Sequence, residues 1–411
     1  MLRETATTAV IADNCLKDLA FAYCRVVAGL SDRRLDNGLA RLLQQSTCRA
    51  MHTLLRRQML AYRAYARPSS SSWQIMHDLY GIARAHGVAT LDGEGNIERL
   101  YLCALLMAYA EPGKIPRHSL NALRQAVELL SPFAGIIEDD ESQHTPTALA
   151  GRFWVRTDRG HPGRSLIRVG STRPPVPGSL IVECRGVISA LDRKLAQGLG
   201  SAHDIPENVL TTLRASLGGP LTRRFSRTQF SPQTRLVAGM DNALALIAAC
   251  AKDEGALDAI MQNGSAWTVL DESPDGFGIR YLDGTKWPLQ AGDLVVLQTS
   301  GGTRPHVCLV RRIANLKSRL ELGLQMLSPE ASIIEIGGSD GQSRQMGLFL
   351  PRLPAFGGSA GLLASPGALS NGALLRRETP EGGIHLWKRG AHSEHNGQVE
   401  FHVLAPANSP T

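Results

Sequence analysis

Trp267-Thr-Val-Leu-Asp271-Glu-Ser273-Pro-Asp-Gly276-Phe-Gly-Ile-Arg-Tyr-Leu282 carries two short runs of branched and aromatic residues, 267–270 and 278–282, on either side of Asp-Glu-Ser-Pro-Asp-Gly. Branched and aromatic side chains suit a pleated, half-buried surface, and a Pro-Asp-Gly segment supplies turn chemistry. The stretch therefore reads as two β-strands with a turn between them. Further strand candidates follow at 293–298, 306–313 and 319–326, and another precedes it at 234–240. Short strands with regular turn signals imply a small antiparallel barrel or sandwich. Residues 242–260 have helical character, which places a helix between the first two strands of that unit.

Outward from this region the chain changes character. Leu16, Leu19, Ala20, Tyr23, Val26, Val27 and Leu30 recur at three- and four-residue intervals, the period of an amphipathic helix. Further helices are expected at 34–43, 48–65, 73–86, 97–110 and 119–130, separated by Pro68 and its serines, Gly87, Asp92-Gly and Pro112-Gly. No repeat of a fixed period near 34 residues is present, so the front reads as a helical bundle or helix-hairpin array. Residues 153–155, 166–169 and 180–182 read as short strands and 187–199 as a helix. The tail has strand candidates at 346–350, 374–377, 384–388 and 399–404, joined by the Gly/Ser/Pro-rich loop 356–371. The expected fold class is α+β multidomain: a helical domain over 1–150, a mixed connector over 151–215, a β-barrel over 216–330 and a smaller β unit over 331–411.

The 411 residues include 44 Lys+Arg against 37 Asp+Glu, a formal charge of +7, and are 43% hydrophobic. This is too long and too apolar for a disordered tail, and suits two or three packed domains. The longest nearly apolar runs, 100–110 and 243–251, fall short of the roughly 18 residues that a membrane-spanning helix needs. The first fifteen residues carry Arg3, Glu4 and Asp13 and no apolar core of a secretory signal, so the expected location is the cytoplasm. Seven widely spaced cysteines without a CxxC suggest neither a disulfide framework nor a zinc site and read as reduced structural thiols. Arg33, Arg34, Arg56, Arg57 and Arg63 read as a solvated basic helix surface, and the acidic run 138–141 as a solvated loop.

The charge that matters is local. No acidic residue occurs between positions 209 and 240, while Arg214, Arg223, Arg224, Arg227 and Arg235 do. A guanidinium fork bonds bidentately to phosphate or to the O6/N7 edge of guanine and stacks on a purine face. Asp271, at the end of the strand 267–270, is of the type that accepts from guanine N1–H and its amino group. Ser273 is a hydroxyl for phosphate or base, and Gly276 permits close backbone approach.

Arg223 and Arg227 in an RxxxR spacing, followed in order by Asp271, Ser273 and Gly276 as DxSxxG on a β domain, resemble the PilZ family of cyclic di-GMP receptors. The strand Leu320-Glu-Leu-Gly-Leu-Gln325 is similar as well, and the likeness covers about residues 220–329. It implies a ligand, cyclic di-GMP, held by Arg223, Arg224, Arg227, Asp271, Ser273 and Gly276 without chemistry on it. It also implies an arginine arm that closes over the nucleotide and reorients what lies upstream, here the helical front, toward a protein partner.

No catalytic, metal or cofactor site is expected. His392 and His395 stand three apart in a glycine-rich loop without further ligands, and the glycine runs at 337–341 and 357–361 lack the Lys-Ser/Thr of a phosphate loop. No GxSxG occurs. Two alternatives stand beside the receptor: a PilZ-like scaffold that no longer binds nucleotide, and a nucleic-acid-binding barrel. With aromatics at 5% there is no stacking platform for the latter. The apolar-faced helical front also suits self-association into a homodimer.

Overall fold

A computed structural model describes residues 2–90, 96–138, 149–169, 176, 178–197, 205–218, 232–250, 261–299, 305–316, 319–328, 330–337, 344–369, 374–378 and 384–407. The chain forms two compact units. One comprises Met1–Gly113 with His118–Thr222, the other Lys114–Arg117 with Arg223–Thr411.

The first unit opens on a hairpin of α1 (Leu2–Ser31) and α2 (Asn37–Arg63), clasped by Asp13 and Arg57 at 2.7 Å. Helix α2 replaces the two helices expected at 34–43 and 48–65. The residues between them, Gln44-Gln-Ser-Thr47, contain neither Gly nor Pro, so nothing interrupts the i to i−4 hydrogen bonds, and Ser46 and Thr47 are buried by packing. Helices α3 (Ser70–Ala85), α4 (Ile97–Tyr109) and α5 (Leu120–Leu130) follow. Asp36, Ser69 and Asn96 cap α2, α3 and α4, each accepting from the backbone N–H three residues on. The bundle core is built from Leu43, Met51, Leu54, Met76, Ile97 and Leu105. Each such side chain, fully buried, contributes about 1.5–3 kcal/mol. Buried His77 is held by the Tyr101 hydroxyl at 2.7 Å and the His161 carbonyl at 3.0 Å.

A four-stranded antiparallel sheet completes this unit, ordered β1-β4-β2-β3, from β1 (Gly135–Glu138), β2 (Arg152–Val155), β3 (Arg164–Ser165) and β4 (Leu180–Glu183). Glu138 thus ends a strand, while 139–141 lie outside the described residues. Leu166–Val169, expected as a strand, is a helical turn. β3 pairs with β2 only at Ser165 and Arg164, and beyond Phe153 the partner strand offers just Arg152, so no ladder is left to extend the pairing. Phe153 stacks on Tyr109 with centroids 3.8 Å apart. Helices α6 (Arg185–Ala196) and α7 (Glu207–Leu217) close the unit, the latter bringing Val209, Leu210, Leu213 and Leu217 inward.

The second unit holds a closed barrel of β5 (Gln233–Ala238), β6 (Ser265–Ser273), β7 (Gly276–Asp283), β8 (Leu294–Thr299), β9 (His306–Leu316) and β10 (Arg319–Ser328), ordered β10-β7-β6-β5-β8-β9 and sealed by β9 on β10. Every pairing is antiparallel. Helix α8 (Met240–Cys250) lies between β5 and β6 in sequence, as expected at its N-terminal part; 251–260 lie outside the described residues. Inside the barrel the indole N–H of buried Trp267 donates to Ser265 Oγ at 2.8 Å, and that hydroxyl donates to the Leu236 carbonyl. The buried polar atom is thereby satisfied.

The tail is a six-stranded antiparallel sheet, ordered β11-β12-β13-β16-β15-β14, from β11 (Ser332–Gly337), β12 (Arg344–Leu353), β13 (Ser359–Ala364), β14 (Leu374–Glu378), β15 (Ile384–His395) and β16 (Glu400–Pro406). β11 and β13 are strands that the residue pattern did not announce. β13 lies within the stretch read as a loop, because its Ser-Ala-Gly-Leu-Leu-Ala draws its ladder from β12 and β16, which are distant in sequence. Barrel and sheet share one core: Val237, Leu294, Val296, Val307 and Leu309 pack with Leu348, Leu350, Leu363, Val399 and Phe401, with Ala243 and Leu246 of α8 between them.

A buried polar clasp spans the same junction. Asp293, in the turn before β8, accepts from the Gln290 N–H and from Asn396 Nδ2, both at 2.7 Å, while Asn396 Oδ1 accepts from the N–H groups of Gln398 and Val399. Burial raises the Asp293 pKa from 3.8 to about 6, against the Gln290 and Asn396 hydrogen bonds and the Arg117 guanidinium, which favour the carboxylate. The folded pKa lies above the unfolded one, so the stabilisation is fully present below pH 4 and is lost as pH rises through 6. Asp293→Asn does not titrate. Relative to wild type it should gain roughly 2 kcal/mol between pH 4 and pH 7, read by urea unfolding at both values. Parallel pH dependences for the two proteins would refute the assignment.

Candidate ligand site

The β6–β7 turn is shaped by one extra residue. Val269 pairs with Ile279, but Asp271 pairs with Gly278, so Leu270 is a bulge in β6. Before it, Ser265, Trp267 and Val269 face the barrel interior; an unbroken alternation would send Asp271 inward after them. The bulge reverses the phase. Phe277 and Ile279 are buried inside, so Gly278 faces out, and its partner Asp271 faces out with it. Ser273 shares that outer face, two residues on. Glu272 pairs with Phe277 and turns the other way, where it is close enough to His306 to oppose the fall in that imidazole's pKa that burial causes.

Glycines floor the outer face. A Cβ on Gly278 would stand 2.5 Å from Asp271 Oδ1, so the carboxylate lies directly over this position. Gly278 pairs with Gly323 of β10, and Gly323 with Arg312 of β9. Across the barrel wall the row therefore reads Asp271, Gly278, Gly323, Arg312: a carboxylate over the first glycine and a guanidinium side chain against the second. Arg312 is exposed and, among the described residues, has no acidic partner.

The adjoining rows are paired. Arg280 bonds Glu321 at 2.9 Å, and Gln325 accepts from Arg311 Nε at 2.6 Å, Arg311 also pairing with Glu394. At the turn, the Ser273 hydroxyl donates to the Gly276 carbonyl at 3.3 Å and the Met326 N–H donates to the Asp275 carbonyl at 2.9 Å. Gly276 adopts φ 149°, and a Cβ there would stand 1.9 Å from the Leu324 carbonyl oxygen.

Asp271, Ser273 and Gly276 thus converge at one end of one hairpin. Arg223, Arg224 and Arg227 lie outside the described residues. Two other arginines of the acid-free stretch have other settings. Arg214 belongs to α7 and pairs with Asp192 of α6 at 2.9 Å, so a carboxylate from outside the stretch neutralises it, and Arg235 is exposed on β5. His392 and His395 lie in strand β15 instead of a loop, because β16 supplies a ladder, and the His392 ring bonds Glu394 at 2.7 Å. Among the described residues no three His, Cys, Asp or Glu side chains converge as a metal site would require. Residue-by-residue reading missed Gly278, Gly323 and Arg312. The spacing of Gly278 and Gly323 within strand patterns was the available signal, since a strand-interior glycine marks close approach.

Two family models match the chain. Residues 2–140 match the N-terminal domain of the cyclic-di-GMP receptor FimW, and residues 256–332 match the middle PilZ domain of the same receptor. The chain belongs to this family. The order of the two matches, helical front then PilZ barrel, is the order expected from the residues, and the second match contains Asp271, Ser273 and Gly276 and begins after the arginine cluster. No curated protein sequence matches the chain. Among the described residues no helix is long and apolar enough to cross a membrane.

The two turn glycines separate fold from site. Gly276→Ala places a Cβ against backbone at positive φ and should cost at least about 2 kcal/mol in urea unfolding. Gly278→Ala meets the terminal atoms of the Asp271 side chain and no backbone, and should cost less than Gly276→Ala while displacing the carboxylate. Equal costs for the two would contradict this geometry.

Proposed function

We propose that this chain is a receptor that binds cyclic di-GMP on the outer face of the barrel beside the β6–β7 turn. The observation that carries the reading is the bulge at Leu270, which turns Asp271 and Ser273 to the outer face beside a floor of two glycines. A floor whose own residues carry no side chains admits a planar purine once the Asp271 carboxylate, which lies over Gly278, turns to the ligand. In this reading Asp271 accepts from guanine N1–H and its amino group, and the Ser273 hydroxyl, released from the Gly276 carbonyl, reaches ligand oxygen. Arg223, Arg224 and Arg227 supply bidentate contacts to phosphate and to the guanine O6/N7 edge. Arg312, which the residue pattern did not single out, adds a guanidinium from the opposite end of the glycine row.

The arginine cluster begins where the chain passes from the first compact unit to the second, between Thr222 and Arg223. A ligand that engages the arm acts on the segment that joins the units, and the helical unit then presents the change to a protein partner. The energetic condition is a higher affinity for the arm-engaged state than for the open one.

Calorimetry with cyclic di-GMP on the full chain tests the reading. Wild type should bind. Arg223→Ala/Arg227→Ala should weaken binding at least a hundredfold, and Asp271→Ala, Gly278→Ala and Arg312→Ala each about tenfold, close to 1.4 kcal/mol apiece. Affinity should fall as salt is added, since phosphate contacts by exposed guanidinium groups are screened. Absence of heat from wild type would make the chain a scaffold with a PilZ-like barrel. Binding that survives the double arginine substitution would place the site elsewhere.

A further inference from the structure

Helix α1 has two apolar faces. Leu16, Ala20, Tyr23, Val27 and Leu30 form the one turned toward the bundle, with Ala20, Val27 and Leu30 buried. The other consists of Ala12, Cys15, Leu19, Ala22, Val26 and Gly29, at intervals of 3, 4, 3, 4 and 3 residues, the a/d spacing of a coiled-coil seam. From Cys15 onward all of these are exposed, Leu19 by 46% and Val26 by 42%, and nothing lies within 4 Å of where a Cβ on Gly29 would stand. At 100° per residue the two faces are centred about 90° apart, as on a helix that belongs to a four-helix bundle. The hairpin of α1 and α2 supplies two helices of such a bundle.

We propose that this second face is a homodimer seam, closed by α1 of a second copy lying antiparallel. The pattern is self-complementary in that direction. A two-fold axis between residues 20 and 21 sets Leu19 against Ala22 of the second copy, Cys15 against Val26 and Ala12 against Gly29, so each larger side chain meets a smaller one. The charges agree with the same register. Asp18 and Arg25 each precede a seam residue and lie seven apart, and antiparallel pairing brings Asp18 of one copy beside Arg25 of the other, twice per dimer. Among the described residues neither has an ionic or hydrogen-bonding partner within its own chain. A parallel pair would offer Asp18 no cation at this position. Val10 and Phe21, also exposed, fall outside the seam and serve as controls.

Light scattering coupled to size exclusion on the full chain, at low micromolar concentration, should give twice the chain mass. Leu19→Arg should give the monomer, and Phe21→Ser should leave the dimer. Asp18→Arg should raise the dimer dissociation constant at least tenfold, and Asp18→Arg/Arg25→Asp should restore it. Mild oxidation of Val26→Cys should yield a covalent dimer linked through Cys15, which Cys15→Ser/Val26→Cys does not form. Wild type should form no Cys15–Cys15 bond, because the antiparallel register holds the two thiols about 16 Å apart along the seam, beyond disulfide reach. A monomeric wild type, a dimer that survives Leu19→Arg, or a Cys15–Cys15 cross-link in wild type would each overturn the proposal.

Discussion

The pairing of β7 with β10 depends on one point, Gly276, where no side chain fits. The approach there is so tight that a single methyl group would run into the Leu324 carbonyl. A larger residue at this point would force the two strands apart, and the ring would open along this edge. Two residues further along β7, Gly278 pairs with Gly323, and the room above these glycines is taken from the two ends by the side chains of Asp271 and Arg312. Closure of the fold and the candidate site therefore meet on the same pair of strands.

A second constraint links the barrel to the tail. The six-stranded sheet buries Leu348, Leu350, Leu363 and Phe401 against barrel residues, and the Asp293–Asn396 clasp crosses the junction with its hydrogen bonds satisfied on both sides. Neither element buries its apolar face alone. The helix α8, contributed between the first two barrel strands, packs Ala243 and Leu246 into this shared core.

Much of the helical front was readable in the residues, because helix periodicity, caps and breakers act within a few positions. The exception is instructive: Gln44-Gln-Ser-Thr47 has the polarity of a loop, yet burial of Ser46 and Thr47 carries α2 straight through. The strand at Trp267 and the turn at Ser273-Pro-Asp-Gly276 were equally local. β11 and β13 were not, since their ladders come from partners that sequence distance hides. Leu166–Val169 shows the reverse, branched residues without a partner strand settling into a helical turn.

By itself the sequence determined the class of the protein. The helical front, the β-rich back, the arginine cluster and the Asp-x-Ser-x-x-Gly turn are statements about neighbouring residues, and local propensity and side-chain chemistry suffice for them. Only the tertiary structure decided which side chains share a surface. Asp271 faces outward because Leu270 is an extra residue relative to β7, and Arg312 completes its row because β9 and β10 pair in one particular register. Arg214 is paired with a carboxylate because Asp192 reaches it from another helix. Register is set by strands and helices far apart in the chain, and a slip of one residue exchanges the two faces of a strand, so no local reading of the residues contains it.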